Sequence, residues 1–174
     1  MKKIITFLFL VSFGFTQAQQ AFKGKGDVKV NVGANIQNGG SGVQGSVDFG
    51  LGENFSFGFV ANYLLGVDDY SYYNPINNQS YSNKPDFSER FDAKARINAN
   101  LSSVIGVKEL DVYPGLSLGL HNFGGHVGGR YFFTDGFGVF TEIGFPIAKY
   151  SSSNNLFDNL NNQTTFSLGA SFNL

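Results

Sequence analysis

The chain has 174 residues, no cysteine and a formal net charge of -1. Its length suits one domain of moderate size, and the absence of cysteine excludes stabilisation by disulfides. The small net charge gives no electrostatic reason to expect nucleic acid as a partner. Charged residues make up 14% of the chain, whereas an average soluble domain has about 25%. This composition gives a poor surface for a freely soluble protein.

The first residues have the layout of a cleavable secretory signal. Lys2 and Lys3 precede an apolar run over residues 4–11, and small residues follow at 16–18. The apolar run is far shorter than the roughly 20 residues that a membrane-spanning helix needs. We therefore predict a signal peptide over residues 1–18, followed by a single barrel domain over residues 19–174.

An alternation of apolar and polar residues with a period of two runs through about eight later segments. The last segment ends on the final residue, and its apolar side chains share one face of a strand. These are Phe166, Leu168, Ala170, Phe172 and Leu174. No later stretch is apolar enough for a transmembrane helix, so any insertion into a membrane must use strands.

Turn signals separate the alternating segments. The first segment, residues 28–37, ends at Asn38-Gly39-Gly40, and its return strand ends before Gly52-Glu53-Asn54. The other segments lie at about residues 55–65, 90–101, 110–121, 124–133, 137–147 and 165–174. The pattern therefore predicts eight antiparallel strands.

The lengths of the connections alternate. Long polar stretches over residues 68–89 and 151–163 follow the third and seventh strands, which places both on one side of the sheet. Tight turns are expected on the other side, at Gly52, near Ser102-Ser103 and at Asp135-Gly136. Outer-membrane barrels have this asymmetry, with short periplasmic turns and longer external loops.

Alternation alone does not show which face of the strands is inside, because a soluble lipocalin-like barrel has the same period with its faces exchanged. The composition of the polar face decides between the two orientations. Here the polar face mixes very small residues with a few large charges of both signs, which suits a narrow interior. Buried charges must be paired, and the same Arg or Lys in mid-bilayer lipid would cost about 2–4 kcal/mol. We predict an interior polar network of Lys29, Asp48, Arg90, Asp92, Lys94, Arg96, Asp111, Arg130 and Glu142.

These patterns predict an all-β fold, an eight-stranded antiparallel up-and-down transmembrane β-barrel whose interior is filled by the polar network. Its expected role is structural, adhesive or one of surface interaction through external loops. Two alternatives stay open. One is a narrow channel or transporter for small solutes, and the other is a secreted soluble lipocalin-like barrel that binds an apolar ligand.

Residues 124–146, GGHVGGRYFFTDGFGVFTEIGFP, and the terminal FSLGASFNL resemble the small outer-membrane β-barrel proteins of Bacteroidetes-type bacteria, which are related in architecture to OmpA-type and OmpW-type barrels. The resemblance implies an outer-membrane location and contact with the barrel assembly machinery during insertion. In such families the last strand is an insertion signal that usually closes on an aromatic residue. This chain ends on Leu174, with Phe172 two residues before it.

The sequence predicts no enzyme activity, no catalytic residue, no cofactor and no metal. His121 and His126 could approach each other across a hairpin, but no third metal ligand is evident. Asp111 and Glu142 resemble an acid/base pair, yet nearby arginines favour a structural ion network. The chain also lacks a nucleophile motif such as Gly-x-Ser-x-Gly.

The first long loop is the predicted recognition surface, because exposed aromatic residues among polar ones suit binding of a partner or a glycan. The residues in question are Tyr70, Tyr72, Tyr73 and Tyr81. The alternative is a hydrated loop without a specific partner. Outer-membrane lipid is the other expected partner, and the barrel is expected to be a monomer.

Overall fold

The computed structural model describes residues 20–150 and 157–174. The predicted signal peptide, residues 151–156 of the second long loop and the side chain of Tyr72 lie outside the described residues. The strands are β1 (Val28–Gln37), β2 (Gly40–Gly50), β3 (Phe55–Val67), β4 (Tyr70–Asn74), β5 (Gln79–Asn83), β6 (Phe91–Ala99), β7 (Leu110–Gly119), β8 (Asn122–Phe132), β9 (Phe137–Lys149) and β10 (Thr165–Asn173). The short helices are α1 (Phe87–Arg90) and α2 (Ser102–Ile105). No helix within the described ranges is long and apolar enough to cross a membrane.

Eight of the strands form a closed barrel in the order β1-β10-β9-β8-β7-β6-β3-β2. Every neighbouring pair is antiparallel, and β1 pairs with β10 to close the sheet. Closure pairs the backbone groups that a free sheet edge would leave open. The predicted eight-stranded antiparallel barrel is confirmed, whereas its location in a membrane stays a prediction.

The barrel has two different ends. We call the end that holds the start of β1 and the β2–β3 turn the turn end, and the opposite end the loop end. Because the strands alternate in direction, β3 and β9 both end at the loop end, and the barrel strands that follow their long connections, β6 and β10, both begin there. The barrel therefore presents its two longest connections on the same side.

Two connections differ from the sequence prediction. The connection near Ser102-Ser103 is not a tight turn, because residues 102–105 form α2, and Gly106 ends that helix in the left-handed conformation with φ 75°. The long polar loop contains the β4–β5 hairpin, which is a separate two-stranded sheet. Its Tyr-rich segments favour extended backbone, and Asn78 takes the positive φ of 55° in the turn.

The strands turn their polar faces into the lumen and their apolar faces outward. Ile97 on β6 and Leu118 on β7 are 56% and 60% exposed, whereas Asp48 and Arg96 are buried. The same alternation holds around the barrel, so the exterior is a continuous apolar surface. This is the reverse of a soluble domain, which buries its large apolar residues.

The closing seam between β1 and β10 depends on two lumen-facing glycines. Gly33 lies opposite Gly169 in the register, and a Cβ on either would collide with the backbone of the other strand. The two strands can approach this closely only because neither residue has a side chain. Gly45 on β2 differs, since a Cβ there would meet no atom within 4 Å.

We expect Gly169→Ala to lower the free energy of unfolding by about 1–3 kcal/mol, because the added methyl group forces the seam apart. Gly45→Ala is the matched control and should change stability by no more than about 0.5 kcal/mol. Urea denaturation followed by circular dichroism measures both. Equal midpoints for the two variants would contradict the role of the seam.

Candidate functional site

An ion cluster lies at the centre of the lumen, and its members come from different strands. Asp48 accepts hydrogen bonds from Nε and Nη2 of Arg96, both at 2.7 Å, and also from Nη2 of Arg130. The remaining nitrogen of the Arg96 guanidinium, Nη1, donates to Oε2 of Glu142 at 2.8 Å. Nη2 of Arg96 also donates to Oγ of Ser46 at 3.0 Å. Arg96 is thereby bonded through all three of its nitrogens.

Tyr113 extends this cluster toward the turn end. The Arg130 guanidinium lies 4.0 Å from the centre of the Tyr113 ring, at a distance suited to a cation–π interaction. Gly128 leaves room for the ring, since a Cβ there would collide with it. Asp111 lies beyond, 3.8 Å from Nη1 of Arg130, and accepts a hydrogen bond from Asn100 at 2.8 Å. Tyr113 alternates with the apolar residues of β7 and so belongs to the polar face of that strand. Nothing in the sequence indicates that its ring contacts an arginine.

Smaller ion pairs lie on either side of the cluster. At the turn end, Lys29 contacts Asp27 at 2.8 Å and also donates to Oδ1 of Asn173. Toward the loop end, Lys94 contacts Asp92 at 3.3 Å. Asp27 was missed by the sequence prediction, because it precedes the first alternating segment and carries no periodic signal.

Eight of the nine residues of the predicted network lie in barrel strands, and the ninth, Arg90, lies outside them. Those eight are Lys29, Asp48, Asp92, Lys94, Arg96, Asp111, Arg130 and Glu142. Arg90 is half-buried at the loop end, where its Nε donates to the carbonyl oxygen of Pro85 at 3.1 Å. Arg90 lies outside the barrel strands because α1 occupies residues 87–90 and β6 begins only at Phe91.

Chain segments cover both ends of the lumen. At the turn end Ala21 and Phe22 are buried, and the backbone N–H of Ala21 donates to the carbonyl of Lys108 at 2.6 Å. At the loop end Asn161 is buried, and its backbone N–H donates to Oε1 of Gln37 at 3.2 Å. Between the central cluster and this loop-end cover lies a polar cavity of about 20 Å³, which is room for one or two water molecules.

The two histidines have different partners. Nε2 of His126 lies 2.7 Å from Oδ1 of Asn98 in the lumen. Nε2 of His121 lies 3.1 Å from the carbonyl oxygen of Phe91, near the loop end. Across residues 20–150 and 157–174, no group of three or more His, Cys, Asp or Glu side chains is arranged to hold a metal ion. Asp111 and Glu142 belong to different arginines and do not form an acid/base pair with each other.

The β4–β5 hairpin at the loop end presents tyrosines to solvent. Tyr70, Tyr73 and Tyr81 are between 37% and 57% exposed. Near the hairpin turn, Tyr73 donates to Oδ1 of Asn78 at 2.5 Å, and Asn77 donates to the Tyr81 hydroxyl at 2.6 Å. Tyr70 lies instead at the base of the hairpin, next to the barrel.

A pocket of about 230 Å³ lies between the base of this hairpin and two neighbouring connections. We call it the loop-end pocket. Its lining comes from the first connection, from the start of the first long loop and from the end of the second. The polar and aromatic lining residues are Asn38, Asp68, Asp69, Tyr70, Phe157, Asn159 and Gln163.

Comparison with known families gives one assignment. A family model described as a family of unknown function, DUF6646, matches residues 12–174. The chain belongs to this family. No curated protein and no solved structure matches the chain at a significant level.

In this DUF6646 barrel we expect Arg96→Leu to lower the free energy of unfolding by about 3–5 kcal/mol, because it leaves two buried carboxylates without their main partner. Arg90→Leu is the matched control and should cost less than about 1 kcal/mol, as its guanidinium lies outside the lumen network. Urea titration of the detergent-folded protein measures both changes. Equal losses of stability would contradict the central role of Arg96.

Proposed function

We propose that this chain is an integral β-barrel of the bacterial outer membrane, with a structural, adhesive or surface-interaction role through its loop end. The observation that carries the proposal is the orientation of the two strand faces. Charged side chains in the barrel strands point into the lumen, with the exception of Lys149 at the loop-end terminus of β9. Large apolar side chains such as Val32, Phe59 and Leu116 point outward and are 43–52% exposed.

An apolar exterior of this extent is costly in water and suited to lipid. Soluble monomers rarely expose contiguous apolar patches larger than a few hundred Å². In hydrocarbon the same surface is favourable, and a closed barrel satisfies the backbone hydrogen bonds that lipid cannot satisfy. The outward face and the closed sheet therefore support the membrane proposal together.

Aromatic side chains cluster at both ends of the apolar surface. At the turn end, Phe137 lies 6.4 Å from Phe133 and 5.8 Å from Phe172 between ring centres. At the loop end, Phe87 of α1 lies 5.5 Å from Tyr63 and 5.4 Å from Phe91. Aromatic girdles at the two interfaces are typical of outer-membrane barrels.

The predicted signal peptide and the resemblance to small outer-membrane barrels favour export and insertion by the barrel assembly machinery. Both long connections lie at the loop end, as external loops do in such barrels. Loops positioned by a rigid scaffold commonly carry binding functions. We therefore assign the surface role to the β4–β5 hairpin and the loop-end pocket.

The lumen gives less support to the two alternatives. A channel needs a continuous polar path, and a lipocalin-like carrier needs an apolar cavity. In the described residues, the middle of the lumen holds the Asp48, Arg96 and Arg130 ion pairs. Planar-bilayer recording separates the channel from the proposed role, because a channel requires conductance steps from well-folded protein.

We expect the protein to stay in the carbonate-washed envelope fraction and to migrate differently on detergent gels before and after boiling. Both outcomes follow from a closed barrel with an apolar exterior. Cell fractionation in a host with an outer membrane, with detection of the untagged chain, makes the measurement. Recovery of folded protein in the soluble fraction would reject the membrane proposal.

The variant Ile97→Arg separates lipid from water as the surroundings of the exterior. Ile97 is 56% exposed and directly follows Arg96 of the lumen ion cluster, and an arginine facing mid-bilayer lipid should cost about 2–4 kcal/mol. Leu51→Arg is the matched control, because Leu51 is 61% exposed in a turn-end connection, where the cost should be about 0–1 kcal/mol. Urea unfolding from lipid vesicles measures both. If Ile97→Arg is as stable as Leu51→Arg, the exterior does not meet hydrocarbon.

A further inference from the structure

We propose that the loop-end pocket binds a neutral saccharide unit. The inference rests on the proposed function, because it needs the loop end to face the surroundings of the cell. It adds a location and a ligand class to the general surface role. The construction of the pocket, the chemistry of its lining and its charge support this ligand class.

Hydrogen bonds hold the walls of the pocket together. Gln163 donates from Nε2 to the carbonyl oxygen of Asn38 at 2.7 Å, which joins the second long loop to the first connection. The backbone N–H of Asp68 donates to the carbonyl oxygen of Gly39 at 3.1 Å, which joins the first long loop to that same connection. Leu160 is 7% exposed and anchors the second loop. A cavity with fixed walls binds a ligand at a lower entropic cost than a loose surface does.

The lining offers the groups that recognise sugars. A pyranose presents hydroxyl groups, which both donate and accept hydrogen bonds, together with an apolar C–H face. The carboxylates of Asp68 and Asp69 accept from hydroxyls, and the amide of Asn159 both donates and accepts. Tyr70 and Phe157 add aromatic surface against which a C–H face can pack.

Charge and size narrow the ligand class. Among the described residues, the lining contains two carboxylates and no Lys, Arg or His, so a phosphate or an acidic sugar would be repelled. Lys84 lies 3.6 Å from Asp69 but points to solvent with 70% of its side chain exposed. The volume of about 230 Å³ is below the usual 300–1,000 Å³ of drug-sized sites. A single neutral sugar unit, free or at the end of a glycan, fits these limits.

The test uses the whole protein, purified from the membrane in detergent, and isothermal titration calorimetry. The probes are the methyl glycosides of glucose, galactose, mannose and N-acetylglucosamine, with methyl sialoside and calcium chloride as charged probes. We expect at least one neutral glycoside to bind with millimolar or better affinity. Asp68→Ala and Tyr70→Ala should each weaken that binding about tenfold, because each removes one direct contact.

Matched variants give the controls. Tyr150→Ala removes an exposed tyrosine directly after β9 that does not line the pocket, and Asp135→Ala removes an exposed aspartate at the turn end. Both should bind the glycoside as the wild type does. Each variant is checked for the heat-dependent gel shift, so a loss of binding is interpreted only in folded protein.

Several outcomes would overturn the inference. They are no binding of any neutral glycoside, binding unchanged in Asp68→Ala and Tyr70→Ala, binding lost in Tyr150→Ala instead, or binding of the sialoside or calcium alone. Fractionation of the same cultures separates this inference from the proposed function. Protein that stays in the envelope but binds no glycoside refutes only the pocket, whereas soluble protein that binds a glycoside refutes only the membrane location.

Discussion

The ion pairs made by the buried carboxylate of Asp48 are the interaction on which the rest of the structure depends. This carboxylate on β2 binds the guanidiniums of Arg96 on β6 and Arg130 on β8, so it joins strands on different sides of the barrel. Arg96 then reaches Glu142 on β9. Removing one member would leave buried charges without partners, at a cost of several kcal/mol each. The lumen therefore has one favourable arrangement, and that arrangement leaves little open space in the centre.

The lumen is filled mainly by charged and polar side chains, with a few buried apolar ones such as Val60 and Phe140, so most apolar side chains have no interior to fill. Strand alternation sends every second residue outward, so Ile97 and Leu118 lie on the exterior as a direct consequence of Arg96 and Ser117 lying inside. The choice of side chains that fill the lumen therefore also decides which side chains meet the surroundings of the barrel. In the proposed outer-membrane location, hydrocarbon surrounds this apolar exterior, and the two ends of the barrel are the parts left for contact with water.

The sequence predicted the barrel and its polar interior because both follow from a period of two, which repeats over the whole domain. It did not predict which charges meet, because alternation gives the face of a residue and not its height in the lumen. Arg96 and Asp48 are 48 positions apart, and their contact depends on the stagger of strands around the closed sheet. The sequence did not predict α1, which contains Arg90, or the β4–β5 hairpin, because a short helix and a local hairpin interrupt the period.

The second long loop, which supplies part of the lining of the loop-end pocket, is attached to the polar column that fills the lumen. Gln37 is the last lumen-facing residue of β1, and its side chain accepts from the backbone of Asn161 in the second long loop. Asn122 at the start of β8 donates to the carbonyl oxygen of the same Asn161 at 2.9 Å. The loop next to the pocket is therefore attached to barrel strands through side chains that also close the lumen. The closure of the lumen and the attachment of this part of the pocket wall therefore have a common physical cause, the hydrogen bonds of Gln37 and Asn122 to Asn161.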